Sequence, residues 1–328
     1  MFDLKWWGMA FGFDLNPQKA WTSYYNLDAM ILITGGTGFI GKALIRHLAE
    51  MNYEVRTLLR PSQSSPKLPE GIPIEVTVSS LMDERGLRAA MVGVDAVYHL
   101  ASSERLGGRS DLIKVEIQGT RAVVEAALDA GVKRIFYVSH LGADRASAFP
   151  ALKAKAIAEE FIRRSGLQYT ILRSAVVFGP NDGLTSGISS LLASVPFLFF
   201  VPGNGKVLLQ PIWIEDLATC LSWAMEDPGM LDVTMEVGGP EYLTFRQVVE
   251  MVMRNKGVRR RLVGIPPPYI RGLTVFMESM ASATPTTVYW LDYLAANRTT
   301  ALDTLPRVFG LMPSRMSARL AYLQKGTV

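Results

Sequence analysis

The amino-acid sequence predicts an α/β fold in which a doubly wound parallel sheet carries a smaller, mainly helical C-terminal lobe. Two observations lead to this prediction. Short apolar runs alternate with segments of helical periodicity from residue 30 to residue 173, as in strands joined by crossover helices. The chain of 328 residues, 49% of them hydrophobic and 20% charged, is also long enough to bury a large core.

Each predicted element follows from its local pattern. The predicted strands cover 30–34, 55–60, 72–78, 94–101, 134–139, 169–173 and 233–237, and the predicted helices cover 42–50, 83–91, 111–130 and 154–165. Thr244, with Gln247 three positions later, predicts a capping box at the start of a further helix. After residue 240 helical segments are separated by prolines at 266–268, 285, 306 and 313.

Three glycines, Gly35, Gly38 and Gly41, separate the first strand from the first helix. The first lets the chain turn sharply, the second lets the backbone approach a pyrophosphate, and the third lets the helix pack against the strand. The free N–H groups and the positive dipole end of the helix then face the phosphates. Because the second strand follows at residue 55, the order of elements predicts a βαβ unit that binds a dinucleotide.

Ligands of parallel sheets bind outside the carboxyl ends of the strands. We therefore expect the glycine loop, Arg60, Ala101–Ser102 and Ser139–His140 to converge. The predicted cofactor contacts near the loop are Gly35, Thr37, Gly38, Phe39, Ile40, Gly41, Arg60 and Ala101. Arg60 stands where an acidic residue would bond the ribose hydroxyls of NAD, and a guanidinium there pairs with a 2′-phosphate. The predicted cofactor is NADP(H), with NAD(H) as the alternative.

The chain divides into three predicted regions. They are an aromatic N-terminal extension over 1–29, a dinucleotide-binding domain over 30–240 and a substrate cap lobe over 241–328. The extension lacks the basic region and the continuous apolar region of a signal peptide. Three interpretations of it stay open: a natural start at Met30, an aromatic arm that docks on a partner, or a poorly ordered extension.

The formal net charge of +4 and the pI near 9.1 are mildly basic. Since no aromatic residues interleave the basic ones, nucleic acid is not a predicted partner. The basic cluster in residues 254–261 is interpreted as a solvated helix end, with contact to anionic lipid or to an acidic partner as the alternative. The apolar run 191–201 is broken by Pro196 and is too short for a bilayer span, which indicates a buried or interfacial segment.

A single cysteine, Cys220, rules out an intrachain disulfide and indicates a reducing compartment. We therefore predict a cytoplasmic protein, with peripheral membrane or protein-complex association as the alternative. His47 and His99 lack carboxylates or cysteines at metal-ligand spacing, so no metal site is predicted.

Several motifs occur in an order shared with a known family. They are Thr34-Gly35-x-x-Gly38-x-x-Gly41, Asp95-x-Val97-x-His99-Leu100-Ala101, Gly119-Thr120 and Phe178-Gly179-Pro180. Together they resemble the extended and atypical short-chain dehydrogenase/reductases, which implies a Rossmann-like fold from about residue 30 onward. The segments 138–143, 155–159 and 210–216 are most similar to the branch that includes the NAD(P)H-binding accessory subunit of respiratory complex I.

The resemblance also implies a reaction site. Catalytic members use a Tyr-x-x-x-Lys pair and a serine, in which the lysine bonds the nicotinamide ribose and the tyrosine exchanges a proton with the substrate oxygen. Ser139 fits the serine and Lys155 fits the lysine, but Ala151 occupies the tyrosine position and Glu116 replaces the asparagine common in the family. His140 is the third catalytic candidate, because it can titrate near neutral pH, with a structural hydrogen bond as the alternative.

Three functions are compatible with this pattern. The first is an NAD(P)H-dependent reductase whose small-molecule substrate the sequence leaves open. The second is a non-catalytic dinucleotide-binding subunit of a respiratory-type complex. The third is a nucleotide-sugar epimerase or dehydratase, a chemistry that relies on the tyrosine replaced by Ala151.

Overall fold

The structure is a computed structural model that describes residues 29–62, 65–280, 284 and 286–324. Apart from Ala29, the predicted aromatic extension lies outside the described residues, as does the predicted helix breaker Pro285. No helix in the described part of the chain is both long enough and apolar enough to cross a bilayer.

The strands of the described residues are β1 (Met30–Thr34), β2 (Glu54–Leu59), β3 (Glu75–Val78), β4 (Ala96–His99), β5 (Arg134–His140), β6 (Gln168–Ser174), β7 (Val177–Phe178), β8 (Leu198–Pro202), β9 (Leu208–Leu209), β10 (Ile212–Trp213), β11 (Val233–Val237), β12 (Leu243–Thr244) and β13 (Arg261–Ile265). The α-helices are α1 (Phe39–Glu50), α2 (Glu84–Ala90), α3 (Gly119–Asp129), α4 (Pro150–Arg163), α5 (Thr185–Ser194), α6 (Ile214–Glu226), α7 (Phe245–Asn255), α8 (Pro267–Met280), α9 (Val288–Tyr293), α10 (Thr304–Phe309) and α11 (Met316–Arg319). Within the described ranges, 3₁₀ turns cover Glu104–Arg109, Pro228–Met230 and Leu320–Leu323, and a π-helical turn covers Ile113–Gln118.

The central sheet contains seven parallel strands of the described residues, in the order β3-β2-β1-β4-β5-β6-β11. Thr34 at the end of β1 lies opposite Leu58 of β2 and His99 of β4, so these strands end at one edge. The strand order reverses between β1 and β4, and such a switch point is where open α/β sheets bind ligands. The predicted doubly wound, Rossmann-like fold is confirmed.

Apolar side chains cover both faces of this sheet. Ile31 and Ile33 of β1 face α1 and α6, whereas Leu32 between them faces the layer of α2, α3 and α4. All three side chains are fully buried. This alternation follows from the two-residue period of a strand, and it makes β1 apolar on both sides.

Several predicted elements differ at their ends, and proline explains two of these differences. The third strand begins at Glu75 instead of residue 72, and Pro73 has no amide hydrogen to contribute to a ladder. Helix α4 begins at Pro150, four residues before its predicted start. Proline is favoured in the first helical turn, because its fixed φ suits the helix and the N–H it lacks would have no partner there.

The predicted helix over 111–130 consists of two segments. A π-helical turn, Ile113–Gln118, runs directly into α3. Single π-helical turns are frequent at functional sites. Glu116 lies in this turn, is fully buried, and directs its carboxylate at Lys155 of α4.

The C-terminal lobe has a core of its own. Apolar residues from 176–209 pack there with residues from 243–323. Strand β13 pairs with β8, and β12 pairs with β9, which ties the two segments together. The predicted capping box is confirmed, since Gln247 N–H donates to Thr244 Oγ1 at 3.2 Å and Thr244 N–H donates to Gln247 Oε1 at 2.8 Å.

Candidate cofactor and reaction site

Close backbone contacts at Gly35 and Gly41 exclude side chains from the loop after β1. Gly35 has a φ of +77°, and a Cβ there would lie 2.7 Å from the carbonyl carbon of Leu100. A Cβ on Gly41 would lie 2.4 Å from the carbonyl oxygen of Gly35. The loop therefore packs against the end of β4 and the start of α1 so closely that only glycine fits at both positions.

The space in front of Gly38 is different. The nearest protein atom to a Cβ at Gly38 would be the carbonyl oxygen of Gly35, at 3.0 Å. Helix α1 begins after Gly38 without a side-chain cap and without an acidic residue in its first turn. Its first N–H groups and its positive dipole end can therefore receive an anion, and this arrangement fits the pyrophosphate of a dinucleotide.

A fourth glycine, not singled out from the sequence, is also needed in this loop. A Cβ on Gly36 would lie 2.2 Å from Thr57 Oγ1 of β2. The adjacent pair Gly35-Gly36 was the available signal for this close approach. Thr37 beside it is exposed, whereas Phe39 and Ile40 are half-buried.

Two other predicted cofactor residues lie at the same edge of the sheet. Arg60 follows β2 directly and is exposed. Ala101 lies just past β4, and its N–H donates to Thr34 Oγ1 at 3.4 Å. Both are therefore near the carboxyl ends of the strands that flank β1, as the topology requires.

A buried hydrogen-bond chain links this edge to the π-helical turn. Thr120 Oγ1 donates to the carbonyl oxygen of Glu116 at 2.5 Å, so it accepts from His99 Nε2, 3.0 Å away. His99 Nδ1 then accepts from Thr34 Oγ1 at 2.7 Å. Burial, followed by the positive charge of Lys155, lowers the pKa of His99 to about 3. His99 is therefore a neutral structural residue.

Lys155 lies at the centre of a buried charged cluster. Its Nζ is 3.0 Å from Glu116 Oε2 and 3.6 Å from Glu104 Oε2, and it donates to the carbonyl oxygen of Val138 at 3.4 Å. The other carboxylate oxygen of Glu104 lies 2.9 Å from His140 Nε2. Two carboxylates thus face one ammonium and one imidazole.

The carboxylates determine the charge states of their neighbours. Burial alone would lower the pKa of Lys155, but Glu104 and Glu116 raise it well above its usual value. Burial alone would raise the pKa of Glu104, but Lys155 and then His140 lower it below its usual range. Lys155 is therefore charged and Glu104 ionised at neutral pH.

Two cavities meet at this cluster. The smaller, of about 60 Å³, is bordered by Ile40 of the glycine loop and by His140, Lys155 and Tyr289. The larger, of about 420 Å³, is bordered by Glu104, Tyr289 and Ala151. The hydroxyl of Tyr289 lies 3.3 Å from His140 Nε2, and its pKa is raised well above the usual value by burial and then by Glu104. Tyr289, whose hydroxyl is protonated at neutral pH, therefore borders both cavities.

Of the three predicted catalytic residues, His140 and Lys155 line the smaller cavity. Ser139 lies elsewhere: it is fully buried and its hydroxyl is beside the carboxylate of Glu159, which Arg173 binds with two hydrogen bonds of 3.0 and 2.7 Å. Successive residues of a strand point to opposite faces, so His140 faces the cavity and Ser139 does not.

The sequence interpretation missed Glu104 and Tyr289. Glu104 starts a 3₁₀ turn, and Tyr289 comes from the short helix α9 of the C-terminal lobe. Neither belongs to a recognisable motif. The repeated aromatic pattern of Tyr289, Trp290 and Tyr293 was the available signal for α9, although helical aromatic spacing alone indicates a packed face.

Comparison with known proteins agrees with this geometry. Residues 35–188 match a family model described as NAD(P)H-binding. NADH dehydrogenase (ubiquinone) 1 alpha subcomplex subunit 9 of Arabidopsis thaliana mitochondria is 28% identical over 265 residues, which cover 77% of this chain and 64% of the plant protein. The chain thus spans slightly less than two thirds of that relative.

Two further comparisons match most of the length of the other protein. Ceramide reductase of Caulobacter vibrioides is 27% identical over 257 residues, covering 78% of this chain and 80% of that protein. The Escherichia coli NADPH-dependent quinone oxidoreductase, solved with NADPH, superposes with a TM-score of 0.72 at 21% identity, covering 90% and 99% of the two chains. The glycine loop, the sheet order and these matches agree: residues 35–188 form an NAD(P)H-binding domain, and the chain is similar to atypical short-chain dehydrogenase/reductases.

Proposed function

We propose that this protein is an NADP(H)-dependent reductase of a carbonyl compound with a sizeable apolar group. The observation that carries the proposal is the hydroxyl of Tyr289, 3.3 Å from His140 Nε2, on a residue that borders two cavities at the carboxyl edge of the sheet. It offers a proton where the family tyrosine is replaced by Ala151. The relation to a ceramide reductase supports reductive chemistry.

The residues that would hold the cofactor are those of the glycine loop, the N-terminus of α1 and Arg60. When bound, a nicotinamide dinucleotide supplies a hydride. Arg60 supports the choice of NADP(H), because a guanidinium pairs with the 2′-phosphate that NAD lacks.

The residues of the chain supply the proton and hold it in place. Tyr289 donates its hydroxyl proton to the substrate oxygen, and a proton from solvent replaces it. His140 Nε2 lies 3.3 Å from this hydroxyl and 2.9 Å from Glu104 Oε1, so the imidazole holds the hydroxyl in place. Lys155 keeps Glu104 ionised, and so acts on this arrangement through its charge.

The lining and the volume of the larger cavity support a substrate with an apolar body. Apolar groups of Leu112, Pro150, Val275 and Val288 border it together with Glu104 and Tyr289. Its volume of about 420 Å³ is within the range of small-molecule sites. A substrate that fills it has an apolar body and places its carbonyl group near Tyr289.

A second candidate function is a non-catalytic dinucleotide-binding subunit. The observation in its favour is the position of Lys155, whose ammonium has Glu116, Glu104 and the carbonyl oxygen of Val138 around it. An ammonium held between two carboxylates in this way is less available to a nicotinamide ribose. The relation to a complex I subunit fits this alternative.

Two measurements on the full chain separate the candidates. Native mass spectrometry identifies any retained dinucleotide, and NADPH oxidation is followed with short and long-chain ketones, simple aldehydes and nucleotide sugars. We expect little turnover with the simple carbonyls and the nucleotide sugars, and product formation with long-chain ketones. Retention of NADPH without oxidation by any ketone would instead favour the non-catalytic subunit.

A further inference from the structure

Helix α8 buries polar side chains and exposes apolar ones, the opposite of an ordinary amphipathic helix. Its inward stripe consists of Ile270, Thr274 and Glu278, at intervals of four residues, and Thr274 and Glu278 are buried. The Glu278 carboxylate accepts from the N–H groups of Gly108 at 3.2 Å and Val288 at 3.1 Å. Polar groups thus attach this helix to the protein.

The outward side of α8 is largely apolar. The exposed apolar residues of this side, with exposed fractions from 37% to 75%, are Tyr269, Leu273, Phe276, Met277 and Met280. Contiguous exposed apolar surface of this kind marks an interaction site. At about 21 Å the 14-residue helix is too short to span a bilayer, so it would lie in the plane of an interface.

A second apolar element lies beside α8. Phe197 is 81% exposed at a strained turn, with a φ of +70° and a hydrogen bond from Leu198 N–H to the carbonyl oxygen of Pro196 at 2.9 Å. Phe200, three residues on, lines an apolar cleft together with Ile270 of α8. Strand β8, which begins at this turn, therefore adjoins α8.

Basic residues border this surface. Arg254, Arg259 and Arg261 are exposed, and Arg261 N–H donates to the carbonyl oxygen of Phe197 at 2.9 Å. Between residues 254 and 280 the sequence has six Lys or Arg and a single acidic residue, the buried Glu278. The charge of the border is therefore positive.

We propose that this docking surface, formed by Phe197, Phe200 and the exposed apolar residues of α8 with Arg254, Arg259 and Arg261 at its border, binds the surface of an anionic lipid bilayer. Apolar side chains enter the boundary between headgroups and acyl chains, and the arginines pair with anionic headgroups. A second copy of the chain would instead oppose the same arginines across a two-fold interface. A bilayer satisfies the apolar and the basic groups together.

Vesicle co-sedimentation of the full chain tests the proposal. The probes are vesicles of phosphatidylcholine alone and of phosphatidylcholine with phosphatidylglycerol, each at low and high salt. We expect binding to the anionic vesicles that weakens as salt increases. Phe276→Glu and Phe197→Asn should each lower the partition coefficient about tenfold or more. Arg259→Ala combined with Arg261→Ala should lower it roughly thirtyfold.

Val92→Glu is the matched control, because Val92 is an equally exposed apolar residue far from α8 in the sequence, in the turn after α2. It should bind vesicles as the parent does, and unchanged dinucleotide affinity verifies the fold of each variant. Equal partition of Phe276→Glu and the parent, or no binding to anionic vesicles, overturns the proposal. A stable parental dimer that Phe276→Glu dissociates also overturns it, because a second copy is then the occupant.

Discussion

Lys155 Nζ lies 3.0 Å from Glu116 Oε2, so the lysine implied to bind a nicotinamide ribose is already paired with a carboxylate of the π-helical turn. Both groups are buried. Removing one partner of a buried ion pair is strongly destabilising, because the other partner stays buried with its charge unpaired. Removing either partner should therefore destabilise the fold as well as change the site.

Replacing Lys155 by methionine should destabilise the protein strongly. The carboxylates of Glu104 and Glu116 would stay buried without their ammonium, which is expected to lower the free energy of unfolding by about 3–5 kcal/mol. Urea denaturation measures this change. Lys153→Met, at an exposed position two residues away, should change it by less than about 0.5 kcal/mol. Equal loss in both variants would show that the buried pairing contributes nothing.

Stability should fall as the pH drops below about 6.5, and His99 provides the reason. Its pKa is lowered to about 3 in the folded protein, whereas the unfolded chain takes up the proton near 6.5. The unfolded state therefore binds one more proton between these values, and the free energy of unfolding decreases by about 1.4 kcal/mol per pH unit from this group.

Glu104 contributes to the pH dependence of stability only at lower pH. Its folded pKa is below its usual value of 4.5, so its contribution is present above that pH and is lost as the pH falls further. Urea denaturation at pH 5 and pH 7 stays above the range of Glu104, and the comparison with His99→Asn identifies the contribution of His99, because this variant should have a shallower pH dependence by about one proton. A parallel pH dependence in parent and variant would assign the effect to another group.

Gly38→Asp should abolish dinucleotide binding and leave the fold intact. Among the described residues, a Cβ there meets the carbonyl oxygen of Gly35 at 3.0 Å and no other atom within 4 Å, but the carboxylate of an aspartate occupies and charges the space in front of α1. Isothermal titration with NADPH measures the affinity, and thermal unfolding checks the fold. Gly272→Asp is the control for the same chemical change, because a Cβ there has no neighbour within 4 Å in the part of the chain that the structure describes. Undiminished affinity in Gly38→Asp would remove the loop from the cofactor site.

Arg60→Ala should weaken NADPH binding about tenfold to a hundredfold and leave NADH binding unchanged. The guanidinium follows β2 and is exposed, and charged hydrogen bonds contribute about 1.5–3 kcal/mol. Dissociation constants for both dinucleotides check this. Lys67→Ala, which removes an exposed positive charge a few residues away, should affect neither. If Arg60→Ala weakens both dinucleotides equally, Arg60 does not select the 2′-phosphate.

Tyr289→Phe should lower the rate of carbonyl reduction by about 10²- to 10⁴-fold with NADPH affinity unchanged, because the positioned proton donor is lost. Tyr293→Phe is the comparison within the same cavity and should have a much smaller effect, since only Tyr289 is hydrogen-bonded to His140 among these two. Steady-state rates with a long-chain ketone give both values.

Ala151→Tyr should restore part of the activity lost in Tyr289→Phe. Ala151 lies one turn before Lys155 on α4 and borders the larger cavity, so a hydroxyl introduced there can reach the substrate oxygen. Ala151→Phe supplies the ring without the hydroxyl and should restore nothing. Equal recovery with tyrosine and phenylalanine would mean that shape, not proton donation, limits the reaction.

The sequence was sufficient for elements that depend on local pattern. The strands of the sheet follow from apolar runs, and Gly35 and Gly41 from their spacing, because each of these signals lies within a few residues. The contact between His140 and Tyr289 joins residues 149 positions apart and depends on how the C-terminal lobe packs. No local pattern encodes it. Ser139 shows a different difficulty: a shift of one residue along a strand decides which side chain faces the cavity.

The position of β11 in the sheet has a consequence for how the protein is made. This strand covers the free edge of β6, but it is translated roughly 60 residues after β6 ends, or about 3–12 s later at ordinary rates of synthesis. During that interval β6 presents unpaired N–H and C=O groups that can pair with another nascent chain. The risk of aggregation on the ribosome is therefore concentrated in the time before residue 237 emerges.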